Sequence, residues 1–320
     1  MLETRTLERP DIPEVVEGWN RSFVYDRVTQ ERFEKVILND PNYEKEGSSI
    51  GIYQGKIVGF VSAVAREGVA GKDGRGQLDE KDHGYIKGLF VLDDYWDTGV
   101  GEKLLDQAAE YLKSKNKSLI QVVVYTGRYF FPGIDMRYGR LLDLLAGNGY
   151  ERLLDWGEIC TIDDLAVNLT DFEPTEYHNK ARKRLSRMGV KITTYRPEML
   201  EKMREYVEKL DEGHWFPAGW EQGFGESGHT VVALKDQEII GWANYRPEPQ
   251  GGGFGPIGVL EAFRGNGIGS CLLLESMLRM KDLGIPKATA GWAVTDFYLK
   301  SGWKIYRQYA PFQKKLQLQG

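Results

Sequence analysis

The chain has 320 residues, of which 41% are hydrophobic and 28% charged, enough for two ordinary domains with separate cores. A net charge of −5 leaves no basic footprint for nucleic acid, and no apolar run approaches the ~20 residues of a membrane span. Two cysteines cannot form a disulfide framework, the four histidines show no metal-ligand spacing with them, and Met1 to Arg5 lacks a signal peptide's apolar core. No metal is therefore expected, and the expected compartment is the reducing cytoplasm.

In chain order, the first half opens with a strand at Thr4–Leu7. A helix starts at Asp11–Pro13, where Asp11 suits an N-cap and Pro13 a first turn. A hairpin follows, Ser49–Tyr53 and Ile57–Val64, turning at Gln54–Lys56. After a polar, glycine-rich stretch from Glu67 to His83 come a strand at Tyr85–Val91, a glycine turn at Tyr95–Gly101 and a helix to about Lys115. A strand at Leu119–Tyr125, a helix at Gly139–Ala146 and a closing strand at Trp156–Ile162 complete the half. Asn168–Met188 reads as a linker with a basic amphipathic helix, whose Lys180–Arg187 run is a solvated face on the plainer reading and a surface for an acidic partner or a ligand's phosphates on the other.

The second half repeats this order. A strand at Lys191–Tyr195, a helix at Glu198–Leu210 and a hairpin, Thr230–Leu234 and Ile239–Tyr245, lead through a Gly/Pro loop to a strand at Phe254–Leu260. Gln54–Gly59 and Asp236–Gly241 are the same turn-and-strand in the two copies, which indicates duplication. The expected domains are residues 1–166, a linker at 167–189, and residues 190–320.

Each copy places a glycine turn between a strand and a helix. The second is Arg264, Gly265, Asn266, Gly267, Ile268, Gly269 and Ser270, leading into Cys271–Leu278. Glycines let the backbone approach a ligand, and the unpaired N–H groups of a helix start receive an anion such as a pyrophosphate. Neither turn has the Gly-Lys-Ser/Thr of a Walker loop. Both fall late in their domain, whereas a dinucleotide fingerprint follows the first strand.

Arg264–Gly269 resembles the Gln/Arg-x-x-Gly-x-Gly/Ala signature of the GCN5-related N-acetyltransferases, and Phe297–Trp303 resembles the same family's later motif, a tyrosine four residues before a Gly-aromatic pair. The order and spacing of the two motifs make the likeness strong in the second half. The first half offers looser counterparts in Gly99-Val100-Gly101 and Gly147–Tyr150. The resemblance implies an α/β fold of two such domains, each a mostly antiparallel splayed sheet flanked by helices. It implies an acetyltransferase that takes acetyl-CoA as co-substrate. The pantetheine arm would lie on the strand edge at Ile257, Gly258, Val259 and Leu260, and the pyrophosphate on the turn from Arg264 to Ser270. Tyr298 would protonate the leaving thiolate, with direct attack by the amine in a ternary complex.

The first copy departs from the pattern. Trp96 stands for the arginine, Asp97 adds a negative charge where an anion would sit, and Leu145 occupies the position of Tyr298. That domain is expected to be degenerate. The acceptor wall is expected at Glu212, His214, Trp215, Trp220 and Glu221, between the first helix and the hairpin of the second copy; His214 or Glu221 could serve as base. Cys271 as an acyl-carrying nucleophile lacks a visible base. The expected activity is acetyl transfer to a primary amine of a small molecule, by a monomer or homodimer without nucleic-acid or membrane partners. Two rivals are a non-catalytic acyl-CoA-binding or scaffolding protein on the same fold, and a dinucleotide-dependent oxidoreductase.

Overall fold

A computed structural model describes residues 2–66, 82–123, 125, 129–155, 158–210, 216 and 219–317. The chain divides into two compact units, Met1–Ile162 with Gln308–Gly320, and Asp163–Arg307.

The first unit runs β1 (Leu2–Thr6), α1 (Ile12–Ser22), α2 (Gln30–Val36), β2 (Ser48–Tyr53), β3 (Lys56–Ala65), β4 (His83–Val91), α3 (Val100–Ser114), β5 (Leu119–Val122), β6 (Ile134–Asp135), α4 (Gly139–Gly147), β7 (Glu151–Arg152), β8 (Leu154–Asp155) and β9 (Glu158–Ile159). Helix α1 turns Ile12, Val15 and Trp19 inward at i, i+3 and i+7. Trp19 is fully buried beneath Phe23, Phe33, Phe90, Phe130 and Phe131. Deleting such a side chain costs about 3–5 kcal/mol. Phe130 and Phe131, from the stretch before β6, thus pack into the core of this unit.

The second unit runs β10 (Ile162–Asn168), α5 (Glu176–Arg187), β11 (Lys191–Thr194), α6 (Leu200–Glu208), β12 (Thr230–Lys235), β13 (Glu238–Arg246), β14 (Gly252–Val259), α7 (Ile268–Asp282), β15 (Lys287–Ala293), α8 (Thr295–Leu299) and β16 (Lys304–Ala310), with β17 (Phe312–Lys315) following. Ile268, Leu272, Leu273, Met277 and Met280 of α7 are buried against the sheet. The hairpins β2–β3 and β12–β13 carry the same bulge, after Gly51 and after Ala233.

The sheets close differently from the sequence expectation. The strand ending the first copy lies at Ile162–Asn168 and pairs antiparallel with β15 of the second unit, Leu165 facing Ala290 and Val167 facing Ala288. In the first sheet, ordered β1-β2-β3-β4-β5-β17-β7, that place is filled by the C-terminal strand, Phe312 facing both Val122 and Arg152. The two compact units divide after Ile162 and after Arg307. An alternating apolar strand states which face is buried, not which of two related sheets receives it.

Candidate active site

Strand β14 organises the site. One edge is bonded antiparallel to β13, Gly241 facing Val259 and Ala243 facing Ile257. The other edge pairs in parallel with β15 at Gly252 and Gly253 and no further, while β15 holds β10 on its opposite edge as far as Ala293. From Phe254 onward the two strands part. The Leu260 N–H donates to the Ile240 carbonyl at 3.0 Å, which fixes the phase of the ladder. By antiparallel alternation Gly258 bonds toward β13, while Ile257 and Val259 direct their backbone groups to the parted edge. Two of the three predicted edge residues thus face the opening, and Leu260 has its N–H engaged elsewhere.

Beyond β14 the turn has the conformation its glycines suggest. Gly265 and Gly267 have φ of +76° and +87°, where side chains other than glycine's are strained. A Cβ on Gly267 would lie 2.9 Å from Cβ of Ala181 in α5, so the close approach of that helix also requires glycine. The Asn266 side-chain amide donates to the carbonyls of Phe263 and Arg264, each at 3.2 Å, and holds the turn. The first backbone bond of α7 runs from Cys271 N–H to Gly267 carbonyl at 3.0 Å, so the N–H groups of Ile268, Gly269 and Ser270 precede the helical ladder. Gly269 admits Phe297, whose ring would be 3.3 Å from a Cβ there. Ser270 is buried and shares a 2.7 Å hydrogen bond with the Tyr177 hydroxyl of α5.

Arg264 opens the turn. Its Nε donates to the Val259 carbonyl at 3.0 Å, folding the side chain back along the parted edge. The guanidinium resting on the turn belongs to Arg184 of α5, which donates to the Gly265 carbonyl at 3.1 Å.

Tyr298 lies on α8, buried among Phe254, Phe297 and Trp303 with ring centroids at 6.1, 5.1 and 5.1 Å. Phe254 begins the parted stretch of β14. Burial pushes its hydroxyl pKa well above the ordinary tyrosine value, which keeps the proton on oxygen. Cys271 is 4% exposed, and its thiol is pushed up to about 11 by burial, with Arg182 opposing and Glu275 reinforcing the shift. A thiol so raised is a poor nucleophile at neutral pH.

Of the predicted acceptor wall, Glu212, His214 and Trp215 lie outside the described residues. Trp220 packs edge-on against Phe216 and Phe224, each at 5.1 Å, and Phe216 lies 4.6 Å from Trp242. The Glu221 carboxylate is 3.6 Å from Arg204 Nε. Sequence reading missed Tyr206 and Trp242. Tyr206 Oη and Trp242 Nε1 would lie 2.9 and 3.1 Å from a Cβ on Gly258, and the Trp242 N–H has no hydrogen-bond acceptor among the described residues. The available signal was Gly258 itself, since an interior strand glycine marks a close approach.

The first unit shares the left-handed glycine at the helix start, Gly99 with φ of +76°, but differs in its side chains. Its turn is a 3-10 segment, Asp93–Thr98, carrying exposed Asp93, Asp94 and Asp97. Leu145 is fully buried. The extra residue of the β3–β4 bulge is Lys87, between the pairs Ser62–Gly88 and Ala63–Ile86, and by alignment it matches Gly255. Its buried ammonium donates to the Val36 carbonyl at 2.5 Å and to the Asp40 carboxylate. Tyr125 donates to Asp40 at 3.1 Å and accepts from Asn42 at 2.8 Å. Where β4 and β5 end their pairing, the first copy holds its own cation and counter-ion.

The profile of the Acetyltransferase (GNAT) family matches residues 12–128 and 196–303. The chain belongs to that family, with one copy in each half. An uncharacterized N-acetyltransferase of Archaeoglobus fulgidus is 24% identical over 148 residues, 42% of this chain and 93% of that protein. Among solved structures, the glucosamine N-acetyltransferase region of a fungal multi-domain β-N-acetylglucosaminidase superimposes with TM-score 0.75 at 18% identity, covering 98% of this chain; the chain spans only 38% of that protein. A GCN5-related N-acetyltransferase from Sphaerobacter thermophilus gives 0.67 at 15% identity, covering 98% and 95% of the two chains. A tandem GNAT protein from the clavulanic acid biosynthesis pathway gives 0.63 at 13%, each chain covered completely. These likenesses establish the tandem fold. Among the described residues no group of His, Cys, Asp and Glu could hold a metal ion, and no helix is long and apolar enough to cross a membrane.

Proposed function

We propose that the second unit transfers an acetyl group from acetyl-CoA to the primary amine of a small molecule. The observation that carries this reading is the edge of β14 that β15 leaves unpaired beyond Gly253, toward which Ile257 and Val259 direct their backbone groups, the Val259 carbonyl accepting from Arg264, with the Gly265–Gly267 turn following in the chain. An extended pantetheine arm fits such an edge as an added strand would, and its pyrophosphate fits the N–H groups opening α7.

The reaction is direct. A neutral amine attacks the thioester carbonyl, the new C–N bond forms as the C–S bond breaks, and the amine proton passes to a base or water. Tyr298, held protonated by burial, supplies hydrogen-bond donation and a proton to the departing thiolate. The raised Cys271 thiol argues against an acyl-enzyme. The departures at Asp97, Leu145 and Lys87 support a first unit that does not transfer acyl groups.

The aromatic cluster of Phe216, Trp220 and Phe224 above Trp242 suits an apolar or ring-shaped acceptor. Amino sugars therefore head the trial set, alongside the glucosamine named for the fungal relative. The test is thiol release from acetyl-CoA in the presence of a panel of amino sugars, polyamines and aromatic amines. Amine-dependent release supports the transfer reading. Tight acetyl-CoA binding with no release across the panel favours the acyl-CoA-binding alternative.

A further inference from the structure

We propose that the linker helix α5, an addition outside the repeated strand-helix pattern, supplies the cation of the phosphate site through Arg184. The inference rests on the acetyl-CoA reading above and assigns it a residue the family signature does not contain.

Three contacts on one face of α5 seat it on the glycine turn. Tyr177 bonds Ser270 at 2.7 Å, Ala181 fills the space a side chain on Gly267 would need, and Arg184 donates to the Gly265 carbonyl at 3.1 Å. These positions are separated by four and three residues, so they share one stripe of the helix. The signature arginine, Arg264, is folded back onto Val259. Arg184 thus brings a guanidinium from α5 onto the turn itself, while Arg264 donates to the strand at Val259.

The chemistry suits this assignment. A guanidinium carries five N–H donors, and Arg184 spends one on the Gly265 carbonyl. The remaining donors and the full charge stay beside the turn, exposed to a ligand. The carbonyl contact fixes the guanidinium on the turn before any anion arrives, which lowers the ordering cost of binding. Arg182, Lys183 and Arg187 carry the same charge along the helix without such a contact, and Arg187 lies on the neighbouring exposed stripe.

The test is calorimetric binding to the full chain of acetyl-CoA, its 3′-dephospho analogue and S-acetylpantetheine, for wild type, Arg184→Ala, Arg184→Lys and Arg187→Ala. We expect Arg184→Ala to weaken acetyl-CoA and the dephospho analogue alike, by about tenfold, because the contact is to the shared pyrophosphate. Arg184→Lys should recover part of the loss, Arg187→Ala should change binding by less than about twofold, and S-acetylpantetheine should bind every variant equally. Undiminished acetyl-CoA binding by Arg184→Ala would overturn this inference alone. An equal loss for S-acetylpantetheine would overturn it too, by revealing a purely structural arginine. Failure of the wild-type chain to bind any CoA compound would instead overturn the acetyl-CoA reading.

Discussion

Ala181 and Gly267 touch: a Cβ added to the glycine would stand 2.9 Å from Cβ of the alanine, and the glycine's φ is +87°. Two constraints therefore act on one position, the left-handed backbone and the packed helix. Gly267→Ala should cost about 1–3 kcal/mol in urea unfolding and weaken acetyl-CoA binding at least about tenfold, because the turn must move off its N–H geometry. Gly99 of the first copy shares the backbone strain but has open space at its Cβ. Gly99→Ala should show a similar or smaller stability loss and unchanged acetyl-CoA binding.

Tyr298 is assigned to chemistry and not to affinity. Tyr298→Phe keeps the ring among Phe254, Phe297 and Trp303 and removes only the hydroxyl. Turnover should fall by about 100-fold, with an unchanged Kd for acetyl-CoA. Since burial raises the hydroxyl pKa, the phenol stays protonated through the neutral range, and the wild-type rate should show no alkaline fall below about pH 10 from this group. Full activity in the phenylalanine variant would remove Tyr298 from the mechanism.

Cys271 should be dispensable. With its buried thiol pushed up to about 11, iodoacetamide at pH 8 should label the partly exposed Cys160 well before Cys271. Cys271→Ala should retain turnover at a stability cost of about 1 kcal/mol. Trapping of an acetylated Cys271 peptide would contradict direct transfer.

Acid should weaken the docking of α5. His178 is fully buried at the start of that helix, its Nδ1 accepting from the Thr175 N–H at 3.1 Å. Burial, and secondarily Arg182, lower its pKa from the ordinary value of 6.5. The folded chain therefore holds His178 neutral where the unfolded chain would protonate it. That stability is fully present above about pH 6.5 and is lost as pH falls through the lowered folded value. Melting temperature should drop between pH 7.5 and 5.0, and His178→Gln should flatten that drop.

The buried pair of Lys87 and Asp40 gives a further check on the first unit. Lys87→Met leaves the carboxylate uncompensated and should cost about 3–5 kcal/mol in unfolding, whereas Lys87→Met with Asp40→Asn should cost less. Neither change should create a second acetyl-CoA site.

Much of this was legible in the sequence because its signals are local. Gly265 and Gly267 announce a left-handed turn, and the strand and helix either side of it follow from periodicity. The spacing from Tyr298 to Gly302 and Trp303 marks the second motif. What escaped was tertiary. Nothing in Ile162–Asn168 says that it pairs with β15, and nothing in Phe312–Lys315 says that it enters the first sheet. The Lys180–Arg187 run allowed either a solvated face or a phosphate-meeting surface, and charge alone does not single out Arg184 as the residue that meets Gly265. Tyr206 and Trp242 drew no reading from the sequence, and it is their approach to Gly258 that brings their polar atoms into view.

The central claim is one acetyl-CoA site per chain, in the second unit. Calorimetric titration of the full chain with acetyl-CoA tests it most directly, repeated with Gly267→Ala and Gly99→Ala. The account predicts a stoichiometry of one, with binding weakened by Gly267→Ala and untouched by Gly99→Ala. Two sites per chain, or a single site weakened by Gly99→Ala alone, would contradict it.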